Sequence, residues 1–334
     1  MSKPECYLYL SGLKKIADRF SGKEIIHLGI RPYGFHAGNA LALYAYPYLL
    51  CRELKKRNKK VQLTLIYSLN DYEQDEIDSP DKNLYPFNLK PKYTTFQFLP
   101  SEEYPNKTMA ELWAPRIREN IGKLLVDFPE LNIRYIKNSW LKEHPVFKKL
   151  LLKTLIENDC LSDIFRKYTD KKVLPGAIYA SAICKKCFCA RNATPIKDGR
   201  IFSFLCTNCN QLNSGSFNDF DYWWYHKPLF LARMEIFKPD LTISGGDHYN
   251  EGDYEVRQAM AETFTPGQQM PDMLFTPVLL DPEGKRMSKS QGNARYGKIE
   301  EIIKLAENSD SPEILCPENA LSPAKNYEEY SLSL

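Results

Sequence analysis

The chain has 334 residues, room for about two ordinary domains, and its 45 basic and 42 acidic side chains leave a net charge of +3. That balance excludes a histone-like or arginine-rich polycation, and 43% hydrophobic with 26% charged residues is the composition of a soluble globular protein. The longest apolar stretch, residues 40–50, is too short for a bilayer span and contains Pro47, and the opening MSKPECYLYL lacks the pattern of a secretory signal.

In chain order, residues 24–30 (EIIHLGI) and 61–69 (VQLTLIYSL) read as buried strands with a helix between them, the strand–helix–strand pattern of a parallel sheet. Residues 108–128 and 145–158 carry apolar side chains at helical spacing. A cysteine-rich segment follows at 182–210. An aromatic helix near 221–237, a strand at 240–244, a helix near 254–264 and a strand at 272–280 continue the alternation. Beyond residue 307 the chain is polar, contains prolines and shows no period, which predicts a loose tail. The pattern predicts one doubly wound α/β domain, split into a first half (1–95) and a second half (221–306). Between them lies a connective insertion (96–220) that carries the cysteines, and 307–334 form the tail. Lys55, Lys56, Arg57, Lys59 and Lys60 cluster at a predicted helix C-terminus, where the helix dipole favours cations. A phosphate-contacting patch is the other reading.

In a reducing cytoplasm, the compartment this sequence predicts, nine cysteines are thiols or metal ligands. Cys184 and Cys187 form one C-x2-C pair, and Cys206 and Cys209 form another eighteen residues on. Two such pairs offer four thiolates to a structural zinc ion, with no open coordination position for catalysis. The Asp198-Gly199 turn between them suggests the hairpin of a zinc ribbon. Cys189 is left over.

Two segments suit phosphates. After the first strand the chain reads Gly29-Ile30-Arg31-Pro32-Tyr33-Gly34-Phe35-His36-Ala37-Gly38-Asn39. A strand, a glycine-punctuated turn and a helix start place backbone N–H groups and a positive dipole end where an anion can sit. Gly34 and Gly38 leave room for a nucleotide, and His36 and Asn39, three residues apart, can both donate to one phosphate. A glycine-rich turn with a solvated histidine has the same pattern. Far along the chain, Gly284-Lys285-Arg286-Met287-Ser288-Lys289-Ser290-Gln291-Gly292-Asn293 follows a strand and turn. Three basic side chains and two hydroxyls there suit a pyrophosphate and growing negative charge.

These two segments carry a resemblance. HAGN resembles the HIGH signature of class I aminoacyl-tRNA synthetases, and KRMSKSQGN resembles their KMSKS loop. Gly245-Gly246-Asp247-His248, after the strand DLTIS, stands where that class binds the ATP ribose. The order of these pieces matches the class over about residues 20 to 306. Within the class the chain is similar to the lysyl enzymes, on Asn70-Asp71-Tyr72, on the run from His226 to Arg233, and on Asp247-His248 with Gly252 and Tyr254.

The resemblance implies a Rossmann-like (HUP-type) core that uses ATP with Mg2+ to turn an amino acid into an adenylate. It implies His36, Asn39, Lys285 and Lys289 as catalytic, and Gly34, Gly38, Gly246, Asp247, Arg286, Met287 and Ser288 as ATP-binding. Gly29, Arg31, Asp71, His226 and His248 are implied around the amino acid. Relative to the lysyl family this chain has His226 and Leu229 in place of a tryptophan and an acid, and Arg31 in place of a small residue. Those replacements suit an acidic or polar substrate side chain, since an arginine repels an ammonium. Only about forty residues follow the KMSKS-like loop, which predicts a chain without the lysyl enzymes' helical anticodon module. The acceptor of the acyl group is then the acceptor stem of a tRNA, or a small acceptor or carrier in a biosynthetic ligase reaction. An inactive paralogue that binds tRNA or protein is a further reading. No membrane partner is expected.

Overall fold

The structure is a computed structural model that describes residues 4–31, 40–71, 97–98, 106–141, 143–169, 180–189, 201–216, 219, 222–224, 228–287, 296–297, 299–317 and 321–322. In chain order the strands are β1 (Cys6–Leu8), β2 (Gly22–Ile30), β3 (Val61–Leu69), β4 (Asn132–Lys137), β5 (Ala180–Ala182), β6 (Ile201–Leu205) and β7 (Leu212–Ser216). They continue with β8 (Tyr222–Trp224), β9 (Leu241–Ser244), β10 (Asp272–Phe275), β11 (Val278–Leu280), β12 (Tyr296–Gly297), β13 (Glu313–Leu315) and β14 (Leu321–Ser322).

Six of them form one parallel sheet in the order β1-β10-β9-β2-β3-β4. Ile26–Leu28 of β2 and Leu65–Leu69 of β3 are buried without a break because helices cover both faces, as parallel sheets require. Ile26, Leu28 and Ile30 of β2, with Leu63, Leu65, Tyr67 and Leu69 of β3, enter one core with helices Tyr9–Arg19, Tyr46–Lys56, Met109–Leu124 and Ile299–Glu307. On the opposite face, Ile25, Ile66, Met273 and Phe275 pack with helices Pro145–Ile156, Asn158–Tyr168, Pro228–Phe237 and Asp253–Phe264. The doubly wound α/β fold expected from the alternation is therefore present. Helix Met109–Leu124 starts where its sequence directs: the Thr108 hydroxyl accepts from the Glu111 N–H, and the Glu111 carboxylate accepts from the Thr108 N–H at 2.8 Å.

Several expected elements differ. The single strand expected at 272–280 is broken by Pro277, which has no N–H for the ladder. β10 stays in the main sheet, while β11 leaves it to pair with β13. The helix expected across 221–237 begins only at Pro228, and Tyr222–Trp224 is extended, paired antiparallel to β5. Within the 96–220 segment, β4 forms an edge of the main sheet. In the expected tail, Ile314 and Cys316 are buried in the main core, and β13 is paired with β11. The basic cluster ends helix Tyr46–Lys56: Arg57 pairs with Glu53 and with Asp18 (2.9 Å), and Lys56 with Glu53 (3.0 Å). No helix among the described residues is long and apolar enough to cross a membrane.

The topology also chooses a place for a ligand. From β2 the chain builds outward to β3 and β4, then returns to add β9 and β10 on the other side of β2. The order reverses between β2 and β9, and open parallel sheets bind ligands in the crevice beyond the C-terminal ends of the strands at such a reversal.

One glycine is required by the packing near this edge. Gly252, just before helix Asp253–Phe264, has φ +72°, and a Cβ there would lie 2.1 Å from the Tyr168 carbonyl oxygen. Left-handed backbone and a clash with main chain add together, so Gly252→Ala is expected to lower stability by about 2–4 kcal/mol. Urea unfolding of the two proteins checks this, and a change below about 0.5 kcal/mol would contradict it.

Candidate active site and metal centre

Three strand ends carry predicted residues to one edge of the sheet, and a fourth adds residues that were not predicted. β2 ends at Gly29-Ile30-Arg31, β3 at Asn70-Asp71, β9 at Gly245-Gly246-Asp247-His248, and β4 at Asn138-Ser139. Gly246 packs so closely against the end of β10 that a Cβ would lie 2.3 Å from the Thr276 carbonyl oxygen. Asp247 and His248 are carried in the first turn of the short helix Gly246–Asn250, where the His248 N–H donates to the Gly245 carbonyl (3.1 Å).

Beside β2, Gly29 faces a polar cluster. A Cβ at Gly29 would stand 3.6 Å from Asn70 Nδ2 and 3.9 Å from Arg233 Nη1. Arg233 Nη2 donates to Asn70 Oδ1 (2.6 Å) and Asn138 Oδ1 (2.8 Å), and Asn138 Nδ2 donates to Asn70 Oδ1 (2.7 Å). These bonds fasten the ends of β3 and β4 to helix Pro228–Phe237. Asp71 is buried, and its carboxylate accepts from the Ser139 N–H at 2.9 Å. Burial raises its pKa above the usual carboxylate range, against the lowering effect of the Ser139 hydrogen bonds and Lys137. Arg31 is exposed at the end of β2. Leu229 is half-buried against the second core.

The start of the KMSKS-like segment is tied to the same edge. After β11, the Asp281 N–H donates to the Lys285 carbonyl (2.7 Å), and the buried Asp281 carboxylate accepts from the Lys285 N–H (2.7 Å). The Met287 N–H donates to the Leu279 carbonyl (3.0 Å), and the Met287 side chain is buried in the main core. Between these anchors, Arg286 Nη2 pairs with Asp247 Oδ2 at 2.7 Å. Two segments about forty residues apart in sequence, 247 and 286, thus meet just beyond the C-terminal end of β9. Lys285 is exposed next to them. The predicted residues Gly34, His36, Gly38, Asn39, His226, Ser288 and Lys289 lie outside the described residues.

Asn138, Ser139 and the role of Arg233 as a clamp were not legible in the sequence. A usable signal existed: Asn138 directly follows NIRYIK, an alternating strand whose C-terminal end must lie at the ligand edge if it joins the parallel sheet.

Below Gly29 on the same face of β2, His27 is buried, with Nε2 2.9 Å from the Ser68 hydroxyl. Burial, reinforced by the Arg233 and Arg257 guanidiniums, holds its pKa well below 6.5. The folded state therefore keeps this imidazole neutral while the unfolded chain binds a proton below about pH 6.5. Stability from this group is present above that pH and is lost on acidification, approaching about 1.4 kcal/mol per pH unit. Unfolding free energies at pH 7, 6 and 5.5 for the native chain and His27→Gln should diverge in this sense. Parallel curves would contradict it.

The four cysteines of the two pairs come together. Their Sγ atoms all lie within 4.8 Å of one another, with Cys187–Cys206 at 3.5 Å and Cys184–Cys209 at 3.7 Å. A tetrahedral zinc with bonds of about 2.3 Å spaces its sulfurs by about 3.8 Å, so the set fits. Donors are aimed at the sulfurs, as thiolates require: Asn208 N (3.4 Å) to Cys206, Asn208 Nδ2 (3.6 Å) to Cys187, and Asn213 Nδ2 (3.6 Å) to Cys184. Burial opposes ionisation of Cys184, but the N–H groups of Cys187 and Lys186 and the Asn213 amide bring it down to about 7. Burial raises Cys206, helped by hydrogen bonds from Cys187 and Cys184. The hairpin is β6 with β7, closed by the second cysteine pair itself; Asp198-Gly199 lies outside the described residues. All nine cysteines are free of disulfides.

The sequence model of the family "tRNA synthetases class I (K)" matches residues 13–311. No curated protein matches the chain. Among solved structures, a glutamate tRNA ligase from Elizabethkingia meningosepticum in complex with its amino acid is similar at 13% identity and TM-score 0.37, over 92% of this chain and 68% of that one. A Mycobacterium tuberculosis methionyl-tRNA synthetase in complex with methionyl-adenylate is similar at 12% identity and TM-score 0.34, over 82% of this chain and 60% of that one. A pantoate-β-alanine ligase from Francisella tularensis is similar at 13% identity and TM-score 0.30, over 90% of this chain and 78% of that one.

Proposed function

Because the chain belongs to the class I tRNA synthetases of the (K) family, we propose that it activates an amino acid with ATP and passes the acyl group to an acceptor. A carboxylate oxygen of the amino acid attacks the α-phosphorus, forming the acyl–O–P bond while the bond to the β-phosphate breaks and pyrophosphate leaves. The acceptor nucleophile then takes the acyl group and releases AMP. Catalysis of this kind is positioning and charge stabilisation.

The observation that carries this reading is the Arg286–Asp247 pair at the topological reversal. It joins Arg286 of the basic segment to Asp247 just after β9, the strand beside β2, which supports reading the two segments as parts of one site. In this reading Gly246 and Asp247 meet the nucleoside, and Gly34, Gly38, His36 and Asn39 meet the phosphates. Lys285, Arg286, Ser288 and Lys289 close over the β- and γ-phosphates, with Met287 anchoring their loop. Mg2+ bound with the nucleotide neutralises phosphate charge. The amino acid lies over Gly29, among Asp71, His226 and His248, and Arg31 and His226 favour an acidic or polar side chain over lysine. The zinc orders the cysteine segment and takes no part in the chemistry.

ATP–pyrophosphate exchange across the twenty amino acids, followed by label transfer to total tRNA, tests this. Exchange with at least one amino acid is expected. Charging of tRNA then assigns tRNA as acceptor, and exchange without charging assigns a non-tRNA acceptor. Absence of exchange with every amino acid would overturn the proposal.

A further inference from the structure

The two cysteine pairs fold into the same turn. In the first, the Phe188 N–H donates to the Cys184 carbonyl (2.9 Å) and the Cys184 N–H to the Cys189 carbonyl (3.0 Å). In the second, the Asn210 N–H donates to the Cys206 carbonyl (3.0 Å) and the Cys206 N–H to the Gln211 carbonyl (3.0 Å). The fourth residue after the leading cysteine is left-handed in both, with φ +58° at Phe188 and +53° at Asn210. Asparagine suits that conformation, and a bulky aromatic does not. A phenylalanine in the first turn therefore needs a reason outside the turn.

Its partner supplies one. The Phe188 ring stacks on Phe98, centroids 4.6 Å apart and planes within 18°. The residue before Phe98, Gln97, donates its N–H to the Asp71 carbonyl at 2.8 Å. Asp71 follows β3 at the crevice, and its side chain accepts from Ser139 at the end of β4. A short physical chain thus runs from the four-sulfur cluster through two rings and one backbone hydrogen bond to the crevice wall.

We infer that Phe188 is a positioning residue that couples the zinc-ordered turn to the amino-acid side of the crevice through Phe98, Gln97 and Asp71. With the metal bound, the turn holds Phe188 in its unfavourable conformation and presents the ring to Phe98. With the metal gone, the turn relaxes, the stack is lost, and the backbone bond to Asp71 opens more often. The ATP side, built from β9 and the 281–287 segment, has no part in this path. The coupling rests on the activating-enzyme reading only for its kinetic consequence.

Phe188→Asn in the full-length, zinc-loaded protein separates the two roles of the position, because asparagine is the residue the second turn already uses there. The variant should keep its zinc by metal analysis. Hydrogen exchange in the peptide containing Gln97 should be about tenfold faster, the consequence of losing roughly one aromatic stack. The KM for the activated amino acid should rise by a similar factor while that for ATP stays within about twofold. Phe188→Tyr should restore both. Removing zinc with a chelator should speed exchange at Gln97 in the native protein and add little in Phe188→Asn, the non-additivity that marks a shared path. Unchanged exchange at Gln97, additive effects, or an equal rise in both KM values would overturn the inference. Should Phe188→Asn lose zinc, Phe98→Leu, which leaves the cysteine turns untouched, decides by the same measurements. If no amino acid supports pyrophosphate exchange in the native protein, the activity reading fails while the hydrogen-exchange arm still decides the coupling.

Discussion

Lys289→Ala is expected to lower ATP–pyrophosphate exchange by about a hundred- to a thousandfold, the effect of removing one donor aimed at charge that develops in a transition state, worth about 2.7–4 kcal/mol. As the bond between the α- and β-phosphates breaks, negative charge gathers on the departing pyrophosphate. An ammonium held over it is worth far more there than in bulk water. The fold supports such a loop physically. Asp281 and Lys285 close its base by two backbone-directed bonds, and Met287 is buried two residues before Lys289. Arg286, exposed between those anchors, can then turn to a phosphate without unfolding their support. His36→Ala is expected to act with similar size, as a second donor to the same phosphates. Neither change is expected to alter the unfolding free energy by more than about 0.5 kcal/mol. Exchange within about threefold of native in both variants would remove the phosphate-clamp assignment.

Cys206→Ser should abolish metal binding and melt the segment around it. The native chain, purified without chelator, is expected to hold about one zinc. Structural zinc supplies the folding free energy of small cysteine turns outright, with apparent values of about 10–16 kcal/mol in isolated zinc-finger peptides at neutral pH. Beyond Ala182 and Phe204, which enter the second core, and the buried Ile183, this segment has little else. Cys184, Cys189 and Cys206 are the fully buried members of its own small core, and Leu205 and Leu212 are about 60% exposed on the hairpin. Hydrogen exchange over residues 182–189 and 201–216 should rise sharply in Cys206→Ser while β2 and β3 keep their protection. Cys189→Ser provides the contrast. Its sulfur faces the Thr207 hydroxyl at 3.9 Å and lies outside the four-sulfur cluster, so zinc content should be native. Metal loss of equal extent in both variants, or ordered turns in a metal-free native chain, would contradict the site.

Features that a few neighbouring residues decide are legible in the sequence alone. VQLTLIYSL is a strand at the bounds its sequence predicts, 61–69, because β-branched and apolar residues dominate it and its last five positions are buried on both faces. The C-x2-C pairs are legible because each is a closed turn, and the capped helix at Thr108 is legible because its capping partners are three residues apart. The departures fall where distant chain decides. β1 has three residues and β4 six. β1 is too short to announce itself, the alternation of β4 gives only a weak signal, and both exist because an edge of the sheet is there to pair with. Pro277 is tolerable inside a predicted strand only while the residues after it are assumed to stay in the same sheet; they pair instead with β13 from the expected tail. The candidate site divides in the same way. The glycines, the basic loop and the cysteines are visible as types and spacings. The clamp of Arg233 on Asn70 and Asn138, the burial of Met287, and the link from Phe188 to Asp71 are not.

The sequence by itself determined the chemistry available to this protein: four thiols in two turns, a glycine-rich strand end followed by HAGN, a carboxylate after a second strand end, and a basic loop. Such groups are local properties of residue type and spacing, set before folding. Only the tertiary structure decided which of them meet. Strand order is a matter of long-range pairing and of helices competing to cover two faces. It is that order, reversing between β2 and β9, which brings Asp247 within 2.7 Å of Arg286, and long-range packing again which stacks Phe188 on Phe98.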